Sequence, residues 1–530
     1  MKIFVADDVS AAGLEPLRVA GFTVEKRTGL VADELREAVR DCDGLIVRSE
    51  TKVTSELMDA ASRLRVVGRA GVGVDNIDVA QATARGIVVM NAPDGNTITT
   101  AEHTIALLIS LARRVPQANG SLRAGRWERK RFIGVELQGK TLGIVGLGRI
   151  GRVVASRARA FGMNIVAYDP FVAPDQARDL ELEIAPLDEV FARADFLTVH
   201  TPLTAETRGI VGSQAFSKMK RGVRIINCAR GGLVDERALL AAIKEGIVAG
   251  AALDVFEQEP PPADHPLLAL DEVIATPHLG ASTTEAQEGV ALTVAEQMRD
   301  YLSTGALRGA VNVPALGTQE LNALQPYIKL AESLGRFQAQ LIDEAAVREV
   351  RLEYAGDVAE LDAAPVTRAF LAGLLRYMSA RVNVVNAFLI AEERGIEVIA
   401  SYKRAGSEFA PAIRTRVITT NGEQVVAGTL FGGPGHSGDG RITEINGFRI
   451  EAIPHGHMLV TRNHDVPGVI GRIGSILGEH SVNISRFHLG RRERGGEAMA
   501  VIETDAPLKD ETLNELRSFE QVISARQIEL

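Results

Sequence analysis

No stretch constrains this chain more than residues 140–169. An apolar run, KTLGIV, leads straight into GLGRIG (146–151), then into the helix-forming VVASRARAFG, then into a second apolar run, NIVAYD, ending on Asp169. Strand, glycine turn, helix and strand make a βαβ unit, which belongs to a parallel sheet. The G-x-G-x-x-G spacing gives each glycine its own task. Gly146 makes the tight turn, Gly148 lets the backbone approach a pyrophosphate, and Gly151 lets helix and strand pack closely. Arg149 and Ile150 open a helix whose positive end and free N–H groups face the phosphates. Asp169 stands where a carboxylate accepts from the ribose 2′-hydroxyl of NAD. It would repel the 2′-phosphate of NADP, and Pro170 and Phe171 offer no cation instead.

The same alternation extends in both directions. Upstream, KIFVAD, DGLIVRS and LRVVGRAGVG are short buried runs ending in polar residues or glycines, and AEHTIALLISLARRV (101–115) reads as a long helix with a basic last turn. Downstream, strands are expected at 196–200, 223–228, from 249 and at 272–278, which with the two above makes a doubly wound domain of six strands. Residues 311–326 carry Pro and Gly without a strong period and read as a linker. Residues 317–454 read as a second α/β region, with the strand VREVRLEY, the helices TRAFLAGLLRYM and NVVNAFLIAEERG, paired strands, and GGPGHSGDGR as a hairpin connection. Residues 455–530 give strand, helix, strand, strand, helix, strand, the ferredoxin-like βαββαβ plan.

Several domains are what 530 residues predict. The net charge of −9 leaves no footprint for nucleic acid, so an anionic ligand must meet locally placed Arg or Lys. Two cysteines, Cys42 and Cys228, make neither a disulfide framework nor a zinc cluster. The N-terminal stretch is unlike a signal peptide, and no apolar run approaches the length of a membrane span, so a cytoplasmic protein without a metal is expected.

Open α/β sheets bind ligands beyond the carboxyl ends of their strands. There the chain collects NCARGGLVDE with Arg230, LDVFEQEPP with Asp254, Glu257 and Glu259, and TPHLGAST with His278. Oxidation of a 2-hydroxy acid by NAD needs a base for the hydroxyl proton, a cation for the carboxylate, and the nicotinamide. His278 suits the base, or the acid in reduction, with Glu259 orienting its imidazole. Arg230 suits the α-carboxylate through its planar fork. Each alone would pass for a structural histidine or a surface charge; together, behind a dinucleotide fold, they make a site. His200 reads as a strand-end residue near the cofactor, and Cys228 as part of the cofactor wall.

GLGRIG, HTPLTAET, NCARGGLVDE, LDVFEQEP and PHLGAST together resemble the D-2-hydroxyacid dehydrogenase family. That resemblance implies substrate binding by Arg230 and a catalytic pair of Glu259 and His278. It implies NAD held by Gly146, Gly148, Arg149, Ile150, Gly151, Asp169, Thr201, Cys228, Ala229, Asp254, His278 and Gly280. It further implies a discontinuous, flavodoxin-like substrate domain, residues 1–97 and 284–314, with the Rossmann-type domain, 98–283, inserted between. Over its whole length the chain is similar to the family members that oxidise 3-phospho-D-glycerate to 3-phosphohydroxypyruvate, the first step of L-serine biosynthesis. The long form of these carries an intervening allosteric domain, here 317–454, and a C-terminal ACT domain, here 455–530.

The same resemblance implies a homotetramer and substrate contacts at Arg48, Ser49, Gly71, Val72, Gly73, Asn96 and Arg129, the last reaching a neighbouring subunit's site. Some members carry a second Arg where Glu50 stands, which leaves the phosphate to other cations such as those of WERKRF. In the intervening region Lys403, Arg414 and Arg416 are candidate anion contacts. In NHDVPGVIGRIGSILGEHSVNI, Asp465 and Asn483 are the candidate ligands for L-serine as effector. Two rival readings are a dehydrogenase for another 2-hydroxy acid, such as 2-hydroxyglutarate, and a non-enzymatic NAD-sensing scaffold.

Overall fold

A computed structural model describes residues 1–172, 182–314, 318–342, 345–377, 379, 381–403, 412–431 and 439–530. The N-terminal apolar runs become β1 (Lys2–Val5), β2 (Thr23–Lys26), β3 (Gly44–Val47), β4 (Val66–Arg69) and β5 (Val88–Asn91), all parallel, in the order β2-β1-β3-β4-β5. A parallel sheet must be covered on both faces. One cover comes from far along the chain: the helix Thr284–Thr304 buries Val290, Ala291, Val294, Ala295 and Met298 against Ile3, Val5, Val66 and Val88. That spacing is one helical stripe.

The second sheet holds β6 (Thr141–Val145), β7 (Asn164–Tyr168), β8 (Glu183–Ile184), β9 (Phe196–Val199), β10 (Val223–Asn227), β11 (Val248–Leu253) and β12 (Val273–Ala275). Its order is β12-β11-β10-β9-β6-β7-β8, all parallel. The six expected strands are therefore seven. The addition, β8, is two residues long, too short to show any period. Chain order reverses between β9 and β7 on either side of β6, the switch point at which such sheets bind ligands. The helix Thr97–Arg113 packs Ala101, Ile105, Leu108 and Ala112 onto this sheet.

The expected linker is half wrong. A helix, Thr318–Leu341, begins inside it and carries Pro326 within it. Leu330, Leu334, Phe337 and Leu341 recur along one face and are buried, but the proline and glycine content hid that stripe. Residues 315–317 of the linker lie outside the described residues, as do Met378 of an expected helix and 432–438 of the Gly-rich segment. The third sheet comprises β13 (Val347–Ala355), β14 (Glu397–Lys403), β15 (Ile413–Thr419), β16 (Gly422–Phe431), β17 (Asp439–Ile445) and β18 (Phe448–Ala452), ordered β14-β13-β15-β16-β17-β18. Here β13 and β14 are parallel and the other pairs antiparallel, with Phe431 opposite Asp439.

The fourth sheet, β19 (His457–His464), β20 (Ile484–Arg491), β21 (Glu497–Thr504) and β22 (Val522–Glu529), is antiparallel in the order β20-β21-β19-β22. The helices Val469–Glu479 and Asp510–Ser518 cover one face, where Leu459 meets Ile473, Leu477 and Leu516. Its neighbours Met458 and Val460 point the other way, into the core of the preceding region, as strand alternation requires. No helix among the described residues is long and apolar enough to cross a membrane.

Candidate active site

A cleft of about 390 Å³ lies between the first two sheets. The glycine loop forms one wall. Gly146 has φ 96, and a Cβ there would lie 2.7 Å from the His200 carbonyl oxygen. A Cβ on Gly151 would lie 2.2 Å from the Gly146 carbonyl oxygen, whereas one on Gly148 would meet no protein atom within 4 Å. Two glycines are thus required by the protein itself, and the middle one faces open space. The helix Arg149–Ala160 starts there, and Arg149 crosses the cleft to Asp94 at 2.7 Å. The Asp169 carboxylate sits beside the loop, accepting from Leu147 N at 2.8 Å and Phe171 N at 2.9 Å.

The reacting centre lies opposite. His278 Nδ1 meets Glu259 Oε2 at 2.7 Å, which leaves Nε2 for the cleft, and Glu259 Oε1 accepts from Phe256 N at 3.1 Å. Burial pushes the Glu259 carboxyl up, but the bond and charge of His278 and the Phe256 amide outweigh it and hold it below its usual value. Asp254, expected at the cofactor, is fully buried behind this loop and accepts from Thr276 Oγ1, Leu279 N and Gly280 N at 2.6, 2.7 and 2.8 Å.

Arg230 donates to Asp75 Oδ2 at 2.9 Å and to the Ala229 carbonyl at 2.7 Å. Gly73 must stay bare, because a Cβ there would lie 2.0 Å from Arg230 Nη2; at Gly71 it would run into the Arg69 guanidinium. Arg69, at the end of β4, is a residue that sequence reasoning missed. Burial, then the Arg230 and Arg48 guanidinia, push it down to about 10, with Asp75 and Asp7 opposing. Its Nε is buried without a partner. The signal in the sequence is a charged residue ending a buried strand.

Two more unpredicted residues build this side. Buried Asp7 accepts from Arg48 N at 2.5 Å and Thr51 N at 3.2 Å, and Asn76 Nδ2 donates to the Arg48 and Thr51 carbonyls at 2.7 and 2.6 Å. Asp7 thus ties the 48–51 loop to the segment after β1, and Asn76 ties it to the 71–76 loop, leaving Ser49 and Glu50 exposed.

Val72, Asn96, Ile150, His200, Thr201, Cys228, Ala229 and Gly280 also border the cleft. Burial pushes the Cys228 thiol up to about 12, which disqualifies it as a nucleophile at neutral pH, and pushes His200 down to about 4, so its imidazole is neutral. Other expected residues lie elsewhere. Arg129 is exposed on the turn Arg129–Phe132 and does not border this chain's cleft. Lys403, Arg414 and Arg416 are each paired to a glutamate, Glu353, Glu444 and Glu423, at 2.7, 2.5 and 2.7 Å, so none of the three is a free cation. Asp465 accepts from Gly495 N at 3.0 Å and Arg491 Nη1 at 3.3 Å, while Asn483 donates to Asp505 at 2.6 Å. Both are engaged within the chain and not with each other.

Three family models match. Residues 105–280 match the D-isomer specific 2-hydroxyacid dehydrogenase NAD binding domain, 323–446 the D-3-phosphoglycerate dehydrogenase intervening domain, and 457–521 the ACT domain. The glyoxylate reductase of Paecilomyes thermophila superposes with a TM-score of 0.54 at 33% identity, over 59% of this chain and 98% of that one. The D-3-phosphoglycerate dehydrogenase of Bacillus subtilis is 44% identical over 536 residues, covering 100% of this chain and 99% of the relative. That of Archaeoglobus fulgidus is 42% identical over 533 residues, covering all of both. The chain belongs to the D-3-phosphoglycerate dehydrogenase family.

Members of this family are NAD-binding oxidoreductases, and the cofactor here is NAD. The residues present fit it. The side-chain oxygens of Asn96, Thr97 and Thr201 are buried along the cleft with no protein partner, and buried polar atoms of that kind are ordinarily satisfied. Gly148 and the helix behind it leave open space for a pyrophosphate. The ACT match covers β19, β20, β21 and the two helices of the last region.

Proposed function

We propose that the chain oxidises 3-phospho-D-glycerate to 3-phosphohydroxypyruvate with NAD, opening L-serine synthesis, and that L-serine restrains it through residues 455–530. One observation carries this reading: Arg230 borders the cleft that His278 also lines, His278 is paired with Glu259, and the Arg69 guanidinium lies within electrostatic reach of those of Arg230 and Arg48. A substrate with an anion on either side of a hydroxyl-bearing carbon is what such a cluster suits. Relatives of that name spanning the whole chain support it.

Bound NAD supplies the hydride acceptor. Arg230 holds the α-carboxylate by its fork and turns the hydroxyl toward His278. Arg69 and Arg48 hold the phosphate. His278 Nε2 takes the hydroxyl proton as the hydride leaves the same carbon, and Glu259 at Nδ1 stabilises the imidazolium formed. In reduction His278 returns that proton.

The substrate domain in this reading is 1–97 with 284–314, the NAD domain 98–283, and the regulatory pair 317–454 and 455–530. The shared core of the helix Thr284–Thr304 with the first sheet supports the first of these. We place the protein in the cytoplasm as a homotetramer. Two buried free thiols support a reducing compartment, and Leu122, Trp127 and Ile133, apolar yet 56%, 76% and 78% exposed, support a contact between copies in the segment that carries Arg129.

The test is steady-state NADH oxidation with 3-phosphohydroxypyruvate against 2-oxoglutarate, each with and without L-serine. A higher kcat/KM on 2-oxoglutarate favours the 2-hydroxyglutarate reading, and no turnover of either sinks both. Indifference to L-serine removes the effector assignment.

A further inference from the structure

His278 adopts a backbone conformation rare for a histidine, with φ 55. It sits on the loop 276–280, and the group that holds this loop is Asp254. The Asp254 carbonyl accepts from His278 N at 2.9 Å. Its carboxylate accepts from Thr276 Oγ1, Leu279 N and Gly280 N, and lies 3.2 Å from His103 Nε2. The carboxylate is completely buried, and of these four donors only His103 can bring a positive charge.

His103 projects from the helix Thr97–Arg113. One turn earlier on the same face, Thr100 Oγ1 donates to the Gly280 carbonyl at 2.9 Å. The helix therefore grips the loop at two points. The hydrogen-bond network also assigns the histidine's tautomer. An ionised carboxylate only accepts, so the Thr276 hydroxyl donates into Asp254 and presents a lone pair to His103 Nε2, 3.3 Å away. Both neighbours of Nε2 are acceptors, so Nε2 carries the hydrogen.

We propose that His103 is a positioning residue for the acid–base histidine: its Nε2–H, shared between Asp254 and Thr276, fixes the carboxylate that holds the 276–280 loop and so aims His278 at the substrate hydroxyl. This rests on the acid–base reading of His278. His103 borders neither the cleft nor the arginine cluster. Its loss therefore leaves the binding contacts in place and lowers the share of complexes in which the imidazole is aligned, an effect on kcat rather than on KM.

The experiment compares the full-length wild type with His103→Leu and His103→Gln, measuring NADH affinity by fluorescence titration and turnover with NADH and 3-phosphohydroxypyruvate. In His103→Leu, kcat falls tenfold or more, while both KM values and the NADH Kd stay within twofold. In His103→Gln, whose carboxamide keeps an N–H donor near Nε2, kcat returns to within threefold of wild type. A His103→Leu kcat within twofold of wild type, a loss carried by KM, or a His103→Gln no better than His103→Leu overturns the proposal. Should His103→Leu fail to fold, Thr276→Val removes the hydroxyl that links His103 to Asp254. The same split is expected there, and an unchanged kcat overturns the idea equally. An inactive wild type that still binds NADH would instead count against the proposed function.

Discussion

The sharpest separation of fold from function lies in the three loop glycines. Gly148 has φ −69 and ψ −162, an extended conformation open to any residue, and a Cβ there would touch nothing. Gly148→Ala should therefore fold as wild type. The methyl group would occupy the space that a pyrophosphate needs beside the helix Arg149–Ala160. Pushing an anion off a helix N-terminus forfeits up to about 1–2 kcal/mol of dipole interaction, and a hydrogen bond to a charged group is worth about 1.5–3 kcal/mol. Because the phosphate would partly readjust, we take about 2–3 kcal/mol, a rise in NADH Kd of roughly 30- to 150-fold. Gly151→Ala is the contrast. Its methyl would lie 2.2 Å from the Gly146 carbonyl oxygen, so the helix must move away from the turn, and overpacking of that kind costs about 1–3 kcal/mol of stability. NADH fluorescence titration and thermal unfolding on both variants make the check. Gly148→Ala should lose affinity at unchanged melting temperature; Gly151→Ala should lose both. Wild-type NADH affinity in Gly148→Ala, or a loss of stability equal to that of Gly151→Ala, would refute the assignment of the loop to a pyrophosphate.

Two further outcomes follow from the charged groups. Arg69→Leu removes a buried cation from the arginine cluster, a truncation typically worth about 2–5 kcal/mol, so kcat/KM for 3-phosphohydroxypyruvate should fall by roughly 30-fold or more while NADH Kd holds; a shift in NADH Kd alone would move Arg69 out of the substrate site. Glu259 is held below its usual value, so its pairing with His278 adds stability above its unfolded pKa of about 4.3, and that contribution disappears as pH falls through the lower folded value. The stability gap between wild type and Glu259→Gln in urea unfolding should accordingly shrink from pH 6 to pH 3, and a gap that widens on acidification would reverse the sign of the argument.

What could be read in the chain beforehand was whatever local backbone chemistry enforces. The glycine loop was legible because each glycine answers to a turn, an open face or a close contact within a few residues. Arg230, Glu259 and His278 were legible because they lie in loops just beyond strand ends, within distinctive motifs. The residues missed are defined by contacts between segments distant in sequence. Asp7 works on Arg48 and Thr51, and His103 works on Asp254 and Thr276. Neither has a local signature, since a buried aspartate at a strand end or a histidine on an apolar helix face occurs in many folds without a task. The helix Thr318–Leu341 is hidden for the opposite reason: Pro326 is a local helix breaker, and burial against the following sheet overrides it.

The arginine cluster shows why the net charge of −9 was silent about the substrate. Burial above all pushes Arg69 down to about 10, and repulsion from the neighbouring Arg230 and Arg48 guanidinia adds to it. Asp7 and Asp75 offset that repulsion before any ligand arrives, but they do so differently. Asp7 is buried and committed to the backbone and hydroxyl of the 48–51 loop. Asp75 is largely exposed and takes Arg230 only through Nε, leaving the fork without a bidentate carboxylate. A substrate carboxylate can therefore engage the rest of the guanidinium and displace Asp75 into water at small cost. The acidic balance of the chain includes the very groups that keep an arginine-rich site stable while empty, which is why counting charges concealed what placing them reveals.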